Sequence, residues 1–341
     1  MNKKLRIAAF FAAALAVVTA AACRGTQNIP VFDTFIVFIN NLFHFPFTEK
    51  LYQQIDPSTA AIVWKIRFPR VLLAFLAGGS VSVSGAVFQS ALKNPLASPY
   101  MLGVSSGASL GAGTVMLLGF SFNLAASWAA PAAGFVCGLA SVFAVTAFSA
   151  KIDKSFSNNT VILCGMVFSL FINAIITIMA AFNSDKIRAL IIWQMGSFAY
   201  KSWNETMMMF VFLIIGVCAL SRYVKEMDIM TFGETEAASA GVDAPKIKTI
   251  LFLFSTVLSG AAVALSGIIG FVDLIGPHIA RRITGSLHAY VLPASFAAGG
   301  ILMVLSDLIA RTIISPLELP VGAVTALIGA PFFAYIYFKK K

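Results

Sequence analysis

Long apolar runs, separated by short polar segments, make up most of the chain. A helix that spans a bilayer needs about 20 mostly apolar residues. On that basis the pattern predicts about ten transmembrane helices, at residues 5–23, 68–91, 100–120, 127–149, 160–182, 204–221, 249–268, 271–283, 290–310 and 321–338. The expected fold class is therefore an all-α membrane protein, a polytopic bundle that forms a single domain over residues 1–341.

The basic residues indicate which ends of these helices face the cytoplasm. Short cytoplasmic loops carry an excess of Lys and Arg. With the N-terminus inside, 15 of the 24 basic residues fall in inside segments and 9 in outside segments. This bias favours both termini in the cytoplasm, which requires an even number of spans.

Residues 249–283 lie between two basic segments that both favour the cytoplasm. One long helix there would break the even count. We therefore expect an outward helix near 249–268 and a short return through 271–283. The return is too short to span a bilayer, so it must be a half-helix shielded from lipid by the rest of the protein.

Two polar segments lie between the predicted spans. Residues 24–64 are interpreted as an outside loop with an amphipathic piece at the bilayer surface. Residues 222–248 are the most polar stretch, and their Glu, Ala and Ser residues favour a short helix that stops at Gly241. A short cytoplasmic helix could receive force from a soluble partner, and an ordinary solvated loop is the equal alternative.

Composition supports a membrane protein over a soluble one. Hydrophobic residues make up 59% of the chain and charged residues only 11%, against about 25% charged in soluble proteins. The net charge of +10 would suggest nucleic acid in a soluble protein. Here the basic residues are scattered at the ends of apolar runs, so membrane lipid is expected as a partner and nucleic acid is not.

The N-terminal run has a second interpretation. A basic start, an apolar stretch and Ala20-Ala21-Ala22-Cys23 resemble a signal peptide, even a lipoprotein cleavage site. An uncleaved first helix is the favoured interpretation.

The sequence offers no catalytic constellation. The four cysteines and three histidines lack metal-ligand spacing, and neither a GxSxG elbow nor an HExxH motif occurs. A GxxxxGK[ST] phosphate loop is also missing. We therefore expect no enzyme, no metal and no bound cofactor on this chain. If transport is driven by ATP, the ATP and Mg²⁺ belong to another subunit.

Two carboxylates lie within apolar runs, where a charge is costly unless it is paired or hydrated. Asp307 precedes Arg311 by four residues, so an ion pair within one helix is expected. Asp273 has no local partner. It should either face a water-filled cavity or pair with another helix.

A series of short motifs appears from residue 67 onward. In order, they are Arg67-Phe-Pro-Arg70, Gly85-Ala-Val-Phe-Gln89, Lys93-Asn-Pro-Leu-Ala97 with Pro99, Leu102-Gly103-Val104, Gly107-Ala108, Trp193 with Gly196-Ser197, Ala237 with Gly241-Val242, Gly267, Gly270-Phe-Val, Gly276-Pro-His-Ile-Ala-Arg281, Asp307 with Arg311, Leu319-Pro-Val-Gly322 and Gly329-Ala-Pro-Phe332. Together they resemble the permease subunits of type II ABC importers for ferric siderophores, haem and vitamin B12. The resemblance covers about residues 61–338, and residues 1–60 add only the first helix and the outer loop.

That resemblance implies a multi-pass permease of the bacterial cytoplasmic (inner) membrane. Two such chains would pair as a homodimer or heterodimer, with two ATP-binding subunits below and an extracytoplasmic substrate-binding protein above. The cargo would be a ferric siderophore or a related metal chelate such as haem or cobalamin. Asp273 departs from the family, which commonly has Gly at that position, and residues 285–288 lack the usual Asp-His-Arg.

The resemblance also assigns roles to residues. Arg67, Arg70 and Arg311 would bind carboxylates of the binding protein, a task suited to the planar guanidinium. The coupling segment, residues 224–248, would contact the ATPase through Glu234, Ala237, Gly241 and Val242. The alternative coupling element is a turn containing Pro277, His278 and Arg281. Candidates for the pathway or for structural roles are Gln89, Asn94, Pro95, Asp273 and Asp307.

Two other function classes remain open at this point. An ion-coupled secondary transporter acting without an ATPase would use carboxylates in the membrane and an inverted repeat; the carboxylates are present and no clear repeat is seen. A membrane enzyme acting on lipids would need a third partner for His278 and Asp273. Anchoring of helix ends at the lipid headgroups is the structural alternative for the three arginines.

Overall fold

The computed structural model describes residues 3–25, 27–118, 126–182 and 186–339, and helices dominate all of it. The α-helices are α1 Lys3–Cys23, α2 Val31–Phe43, α3 Pro46–Tyr52, α4 Pro57–Ala61, α5 Phe68–Ala91, α6 Val104–Leu118, α7 Ala126–Ile152, α8 Asn158–Ala181, α9 Ile187–Gln194, α10 Trp203–Ser221, α11 Val224–Met230, α12 Glu234–Ser239, α13 Ala244–Ser266, α14 Val272–Thr284, α15 His288–Thr312 and α16 Val321–Lys339. A π-helical turn, Ile62–Arg67, leads into α5, and a 3₁₀ turn, Pro99–Leu102, precedes α6.

Each of the ten predicted runs overlaps one of these helices, although the run at 100–120 begins in the 3₁₀ turn and its residues 119–120 lie outside the described part of the chain. The all-α membrane fold class is confirmed. In the described part of the chain, seven helices are long and apolar enough to cross a membrane. The total of ten spans and the cytoplasmic placement of both termini stay predictions.

Helix α5 forms the centre of the bundle. It packs against α13, α14 and α15, and most of its side chains are buried. Small residues allow this close packing, because helix backbones can approach each other where side chains are absent. A Cβ on Gly78 would lie 2.5 Å from the carbonyl oxygen of Gly299 on α15.

Polar groups gather at two opposite ends of the bundle. At the first, here called the arginine end, Arg67 and Arg311 lie beside the C-terminus of α1. At the second, called the α12 end, the Nζ of Lys3 lies 5.3 Å from the ring centre of Tyr290. The loops from α7 to α8 and from α10 to α13 lie at this second end.

The predicted outward helix and short return are two separate helices. The backbone changes direction between α13 and α14, with φ of 79° at Gly267 and 69° at Phe271. The 13 residues of α14 are about 20 Å long, well short of the roughly 30 Å hydrocarbon core. Helix α14 starts against Gly85, in the C-terminal part of α5, and runs to the α12 end.

The prediction of a turn at Pro277, His278 and Arg281 is wrong, because these residues lie inside α14, while their coupling role stays a prediction. The proline cannot donate the helical hydrogen bond to the carbonyl of Asp273, four residues earlier. Gln89 Nε2 donates to that carbonyl instead, at 3.2 Å. With the freed oxygen satisfied from α5, the helix continues through the proline.

Gly85 is the residue that lets α14 reach this position. A Cβ there would lie 1.9 Å from the Asp273 carbonyl oxygen, and that oxygen belongs to backbone that cannot rotate away. The substitution Gly85→Ala should therefore destabilise the protein by about 1–3 kcal/mol, despite the higher helix propensity of alanine. Thermal unfolding in mild detergent measures the loss.

Gly270→Ala is the matched control, since its Cβ would meet no atom within 4 Å. We expect its unfolding temperature to stay near that of the wild type. Equal stability of the two variants would mean that α14 does not need the close approach at Gly85.

Candidate functional site

Arg70 is the centre of an ion cluster at the arginine end. Its Nη2 and Nε donate to Oδ1 of Asp307 at 2.8 and 3.0 Å. Its Nη1 and Nη2 donate to the two carboxylate oxygens of Glu318 at 2.7 and 3.0 Å. Such two-point pairing is the strong form of the Arg–carboxylate contact, so Arg70 links α5 to α15 and to the segment before α16.

Arg67 and Arg311 bind the C-terminus of α1. Arg67 Nη1 donates to the carbonyls of Ala22 and Cys23 at 3.2 and 2.8 Å, and Arg311 Nη2 donates to that of Ala21 at 2.5 Å. These carbonyls have no partner within their own helix, and the partial negative charge of a helix C-terminus favours cations.

The ion pair predicted between Asp307 and Arg311 is present. Arg311 Nε lies 3.4 Å from Oδ2 of Asp307, four residues earlier on α15. The same carboxylate also accepts from Arg70. Glu318, which sequence reasoning missed, has no helical spacing to either arginine. Its only signal was that the three predicted docking arginines had one predicted carboxylate partner, Asp307.

All three arginines are largely buried. Their exposed fractions are 5% for Arg67, 7% for Arg70 and 6% for Arg311. They border a cavity of about 310 Å³, whose other lining residues include Gln27 and Glu318. The docking role stays a prediction, and these side chains could meet a partner's carboxylate only inside this cavity.

The cluster carries a net positive charge. Three guanidinium groups face two carboxylates, those of Asp307 and Glu318, so one positive charge remains. Arg67 has only carbonyl acceptors among its described hydrogen bonds. One additional carboxylate would neutralise the remaining positive charge of the cluster.

The coupling segment folds as the sequence predicted, with a short helix that ends before Gly241. Glu234 begins α12, and Gly241 has a φ of 82°, which favours glycine. The N–H of Val242 donates to the carbonyl of Ala237 at 2.9 Å. Ala237, Gly241 and Val242, three of the four candidate coupling residues, thus form the C-terminal cap of α12.

A small apolar core holds α12 in place. The side chain of Ala237 is fully buried against Met230 of α11 and Ala244 of α13. The neighbouring Phe232, by contrast, is 81% exposed. This large apolar side chain at the α12 end is a contact candidate that sequence reasoning did not identify.

Asp273 is buried at the start of α14, with 1% of its surface exposed. Ser98 donates a hydrogen bond to its Oδ2, and its Oδ1 has no partner among the described residues. The partner is therefore a hydroxyl from a neighbouring segment, where the sequence led us to expect water or an ion pair.

Gln89 and Arg281 complete this network. Arg281 donates to the Gln89 amide oxygen and, at 3.0 Å, to the carbonyl of Ala86. Gln89 thus lies between the Asp273 carbonyl and Arg281, and these contacts tie α14 to α5.

Asn94 and Pro95 lie apart from this network, in the turn after α5. Asn94 Oδ1 accepts from the N–H of Leu96 at 2.9 Å, while Pro95 is exposed. His278 makes an edge contact with Phe332 of α16, with ring centres 6.2 Å apart.

Known proteins resemble this chain along nearly its whole length. The YvrB ABC transporter permease of Bacillus subtilis (strain 168) is 38% identical over 327 residues, covering 96% of this chain and 91% of that protein. The YfmE permease of the Fe(3+)-citrate import system from the same organism is 34% identical over 282 residues, 83% of each chain.

A solved structure shares the fold. An ABC transporter of the metal-chelate type, captured in an inward-facing conformation, superposes with a TM-score of 0.85 at 27% identity, covering 99% of this chain and 100% of the other.

These similarities support ATP-driven import over ion-coupled secondary transport. The chain is a multi-pass membrane permease rather than an enzyme, and ATP is hydrolysed on a separate subunit of the complex. A model of the FecCD transport family matches residues 4–339, so the chain belongs to the FecCD transport family.

Proposed function

We propose that this chain imports a ferric chelate through the bacterial cytoplasmic membrane. The observation that carries the proposal is the separation of two polar ends: a cavity with a net positive charge, lined by three buried arginines, at one, and a short helix beside an exposed phenylalanine at the other. The first would face the extracytoplasmic binding protein and the second the ATP-binding subunits. This orientation would put both termini in the cytoplasm.

The choice of cargo rests on the relatives. YfmE is named for Fe(3+)-citrate import, and the solved neighbour is a transporter of the metal-chelate type. The ferric chelate would pass between two permease chains, and haem or a corrinoid is the alternative. ATP and Mg²⁺ would bind to the ATPase subunits and not to this chain.

Docking of the binding protein would place one of its carboxylates in the arginine cavity. That carboxylate would offset the remaining positive charge of the cluster and accept hydrogen bonds from Arg67. Arg70 is already paired with two carboxylates. Arg67 is therefore the arginine whose binding would be strengthened most by an added carboxylate. This docking mode accounts for a binding role despite the burial of all three guanidinium groups.

Coupling to the ATPase would use α12 and Phe232. A groove in the ATPase surface would receive the exposed ring, and closure of the ATPase would move α11 and α12 together. The buried Ala237 makes this pair of helices a rigid unit. Such a unit transmits force as a rigid-body tilt.

Pairing of two permease chains would use α8. Exposed residues follow one face of this helix, at Met166, Leu170, Asn173 and Thr177. An amide such as that of Asn173 is costly in contact with lipid, and polar side chains in membrane helices normally face protein or a hydrated cavity. A second copy would shelter this face and enclose the conduit.

The docking proposal predicts that Arg67→Gln weakens binding of the substrate-binding protein by about tenfold, or 1.4 kcal/mol. The variant removes the positive charge that the carboxylate would meet and keeps hydrogen-bond donors for the end of α1. Binding to the permease in nanodiscs gives the affinity, and a thermal scan reports on folding.

Arg188→Gln removes an exposed charge near the same end, after α8, and serves as the control for general electrostatic attraction. We expect it to bind nearly as the wild type does. Equal losses in the two variants would argue against a specific carboxylate site at Arg67.

The coupling proposal predicts that Phe232→Ala lowers ATP-driven uptake of ferric citrate at least tenfold in proteoliposomes that contain the whole complex. Removal of the ring deprives the ATPase of its apolar anchor, while an exposed substitution leaves the fold intact. Uptake and ATP hydrolysis are measured on the same vesicles.

Tyr200→Ala, at the arginine end and fully exposed, is the control and should retain uptake. Wild-type uptake by Phe232→Ala would contradict the coupling site. Uptake by the permease without its ATPase would contradict the proposed function itself.

The pairing proposal predicts cross-linking between α8 helices. Single cysteines at Met166, Leu170, Asn173 and Thr177, in a variant without the four native cysteines, should yield an oxidised dimer for at least one position. A disulfide requires Cα atoms within about 7 Å. Gel electrophoresis without reductant measures the dimer.

Cysteines at Met207, Val211 and Ile214 provide the matched set, since these residues are exposed on α10. They should remain monomeric. Cross-linking from α10 with none from α8 would place the interface elsewhere.

A further inference from the structure

A ligand-sized cavity lies away from the groups discussed above. It occupies about 510 Å³ between α1, α10 and α15, near the α12 end. Small-molecule sites in proteins occupy about 300–1,000 Å³. None of the docking or coupling candidates lines this cavity, so neither of those roles explains it.

Apolar side chains form its walls. They come from α10, chiefly Leu213 and Val217, and from α15, chiefly Leu292 and Phe296. Phe11 of α1 closes one side and is itself partly exposed. An apolar cavity whose rim is exposed on the side of a membrane bundle is in contact with lipid.

The length of the cavity suits an acyl chain. Its lining on α10 extends from Leu213 to Ser221, a rise of about 12 Å along the helix. One leaflet of a bilayer contributes about 15 Å of the hydrocarbon core. The cavity therefore spans most of one leaflet.

One polar side chain interrupts this apolar lining. His288 borders the cavity with only 2% of its surface exposed, and its Nε2 has no partner among the described residues. Its Nδ1 lies 2.6 Å from Oδ1 of Asp228, which also accepts from the His288 backbone N–H at 2.9 Å.

The Asp228 contact determines what Nε2 can bind. An ionised carboxylate only accepts hydrogen bonds, so Nδ1 carries the proton. In the neutral imidazole Nε2 is then an acceptor. The ligand must bring a donor, such as a hydroxyl, to the polar end of an otherwise apolar cavity.

Positive charges lie beside the same end of the cavity. Arg222 and Lys225 are exposed and flank Ser221 and Val224, which line the cavity. The acidic neighbours on α11 are Glu226 and Asp228, and Asp228 is bound to His288. The exposed charges favour an anionic headgroup.

We propose that this cavity binds one phospholipid whose headgroup is anionic and carries a hydroxyl, the chemistry of phosphatidylglycerol. One acyl chain lies against Val217 and Leu292. The headgroup hydroxyl donates to Nε2 of His288, and the phosphate lies near Arg222 and Lys225. This inference concerns the lipid side of the bundle and does not depend on the cargo.

Native mass spectrometry tests the site. The purified permease is mixed with phosphatidylglycerol, phosphatidylethanolamine or phosphatidylcholine that carry identical acyl chains. We expect one tightly held phosphatidylglycerol per chain, retained about tenfold more than either other lipid. Equal retention of all three lipids would show that the cavity makes only unspecific lipid contact, which would overturn the proposal. Preference for phosphatidylethanolamine would overturn the anionic assignment.

Two variants locate the lipid. Val217→Trp fills the cavity and should abolish the retained lipid, while Val211→Trp, an exposed position on the same helix outside the cavity lining, should keep it. Retention of the lipid by Val217→Trp would overturn the site.

His288→Phe keeps a ring of similar shape and removes the acceptor. The preference for phosphatidylglycerol over phosphatidylcholine should then shrink, because only the attraction of Arg222 and Lys225 for the anionic headgroup remains, and an unchanged preference would overturn the role of His288. Thermal scans of all variants confirm that any loss of lipid occurs in folded protein.

Discussion

One carbonyl group, that of Asp273, shows the constraint on which this bundle depends. Inside a membrane protein, a backbone oxygen without a hydrogen bond costs several kcal/mol. Pro277 leaves this oxygen free, the side chain of Gln89 satisfies it, and Gly85 gives it room. Helix α14 can begin inside the bundle and continue through its proline because α5 supplies both the donor and the space.

The rest of the interior follows the same rule. Arg281 binds the other side of the Gln89 amide, and Ser98 binds the carboxylate that follows the break between α13 and α14. At the arginine end, the last carbonyls of α1 likewise accept hydrogen bonds, from Arg67 and Arg311. The residues that we assigned to a pathway (Gln89, Asp273) or to docking (Arg67, Arg311) therefore also stabilise the fold.

The sequence predicted the features that depend on residues close together in the chain. Apolar runs located the helices, charge bias suggested the half-helix, and a spacing of four residues was enough to find the pair of Asp307 and Arg311. It could not pair Arg70 with Asp307 and Glu318, because 237 and 248 positions separate them. The partnership of His288 and Asp228, 60 positions apart, was missed for the same reason. The prediction of a turn at Pro277 failed because the missing donor came from another helix.

Helix α13 connects the proposed coupling segment to the break before α14. Its first turn packs against α12, and its last residue, Ser266, precedes the Gly267 break. The 23 residues of α13 form a rod about 34 Å long. As a lever, it would convert a tilt of about 5° at the α12 end into a displacement of about 3 Å at the break, comparable to one hydrogen-bond length. Because Gly267 lies between α13 and α14, a displacement there would not have to bend either helix.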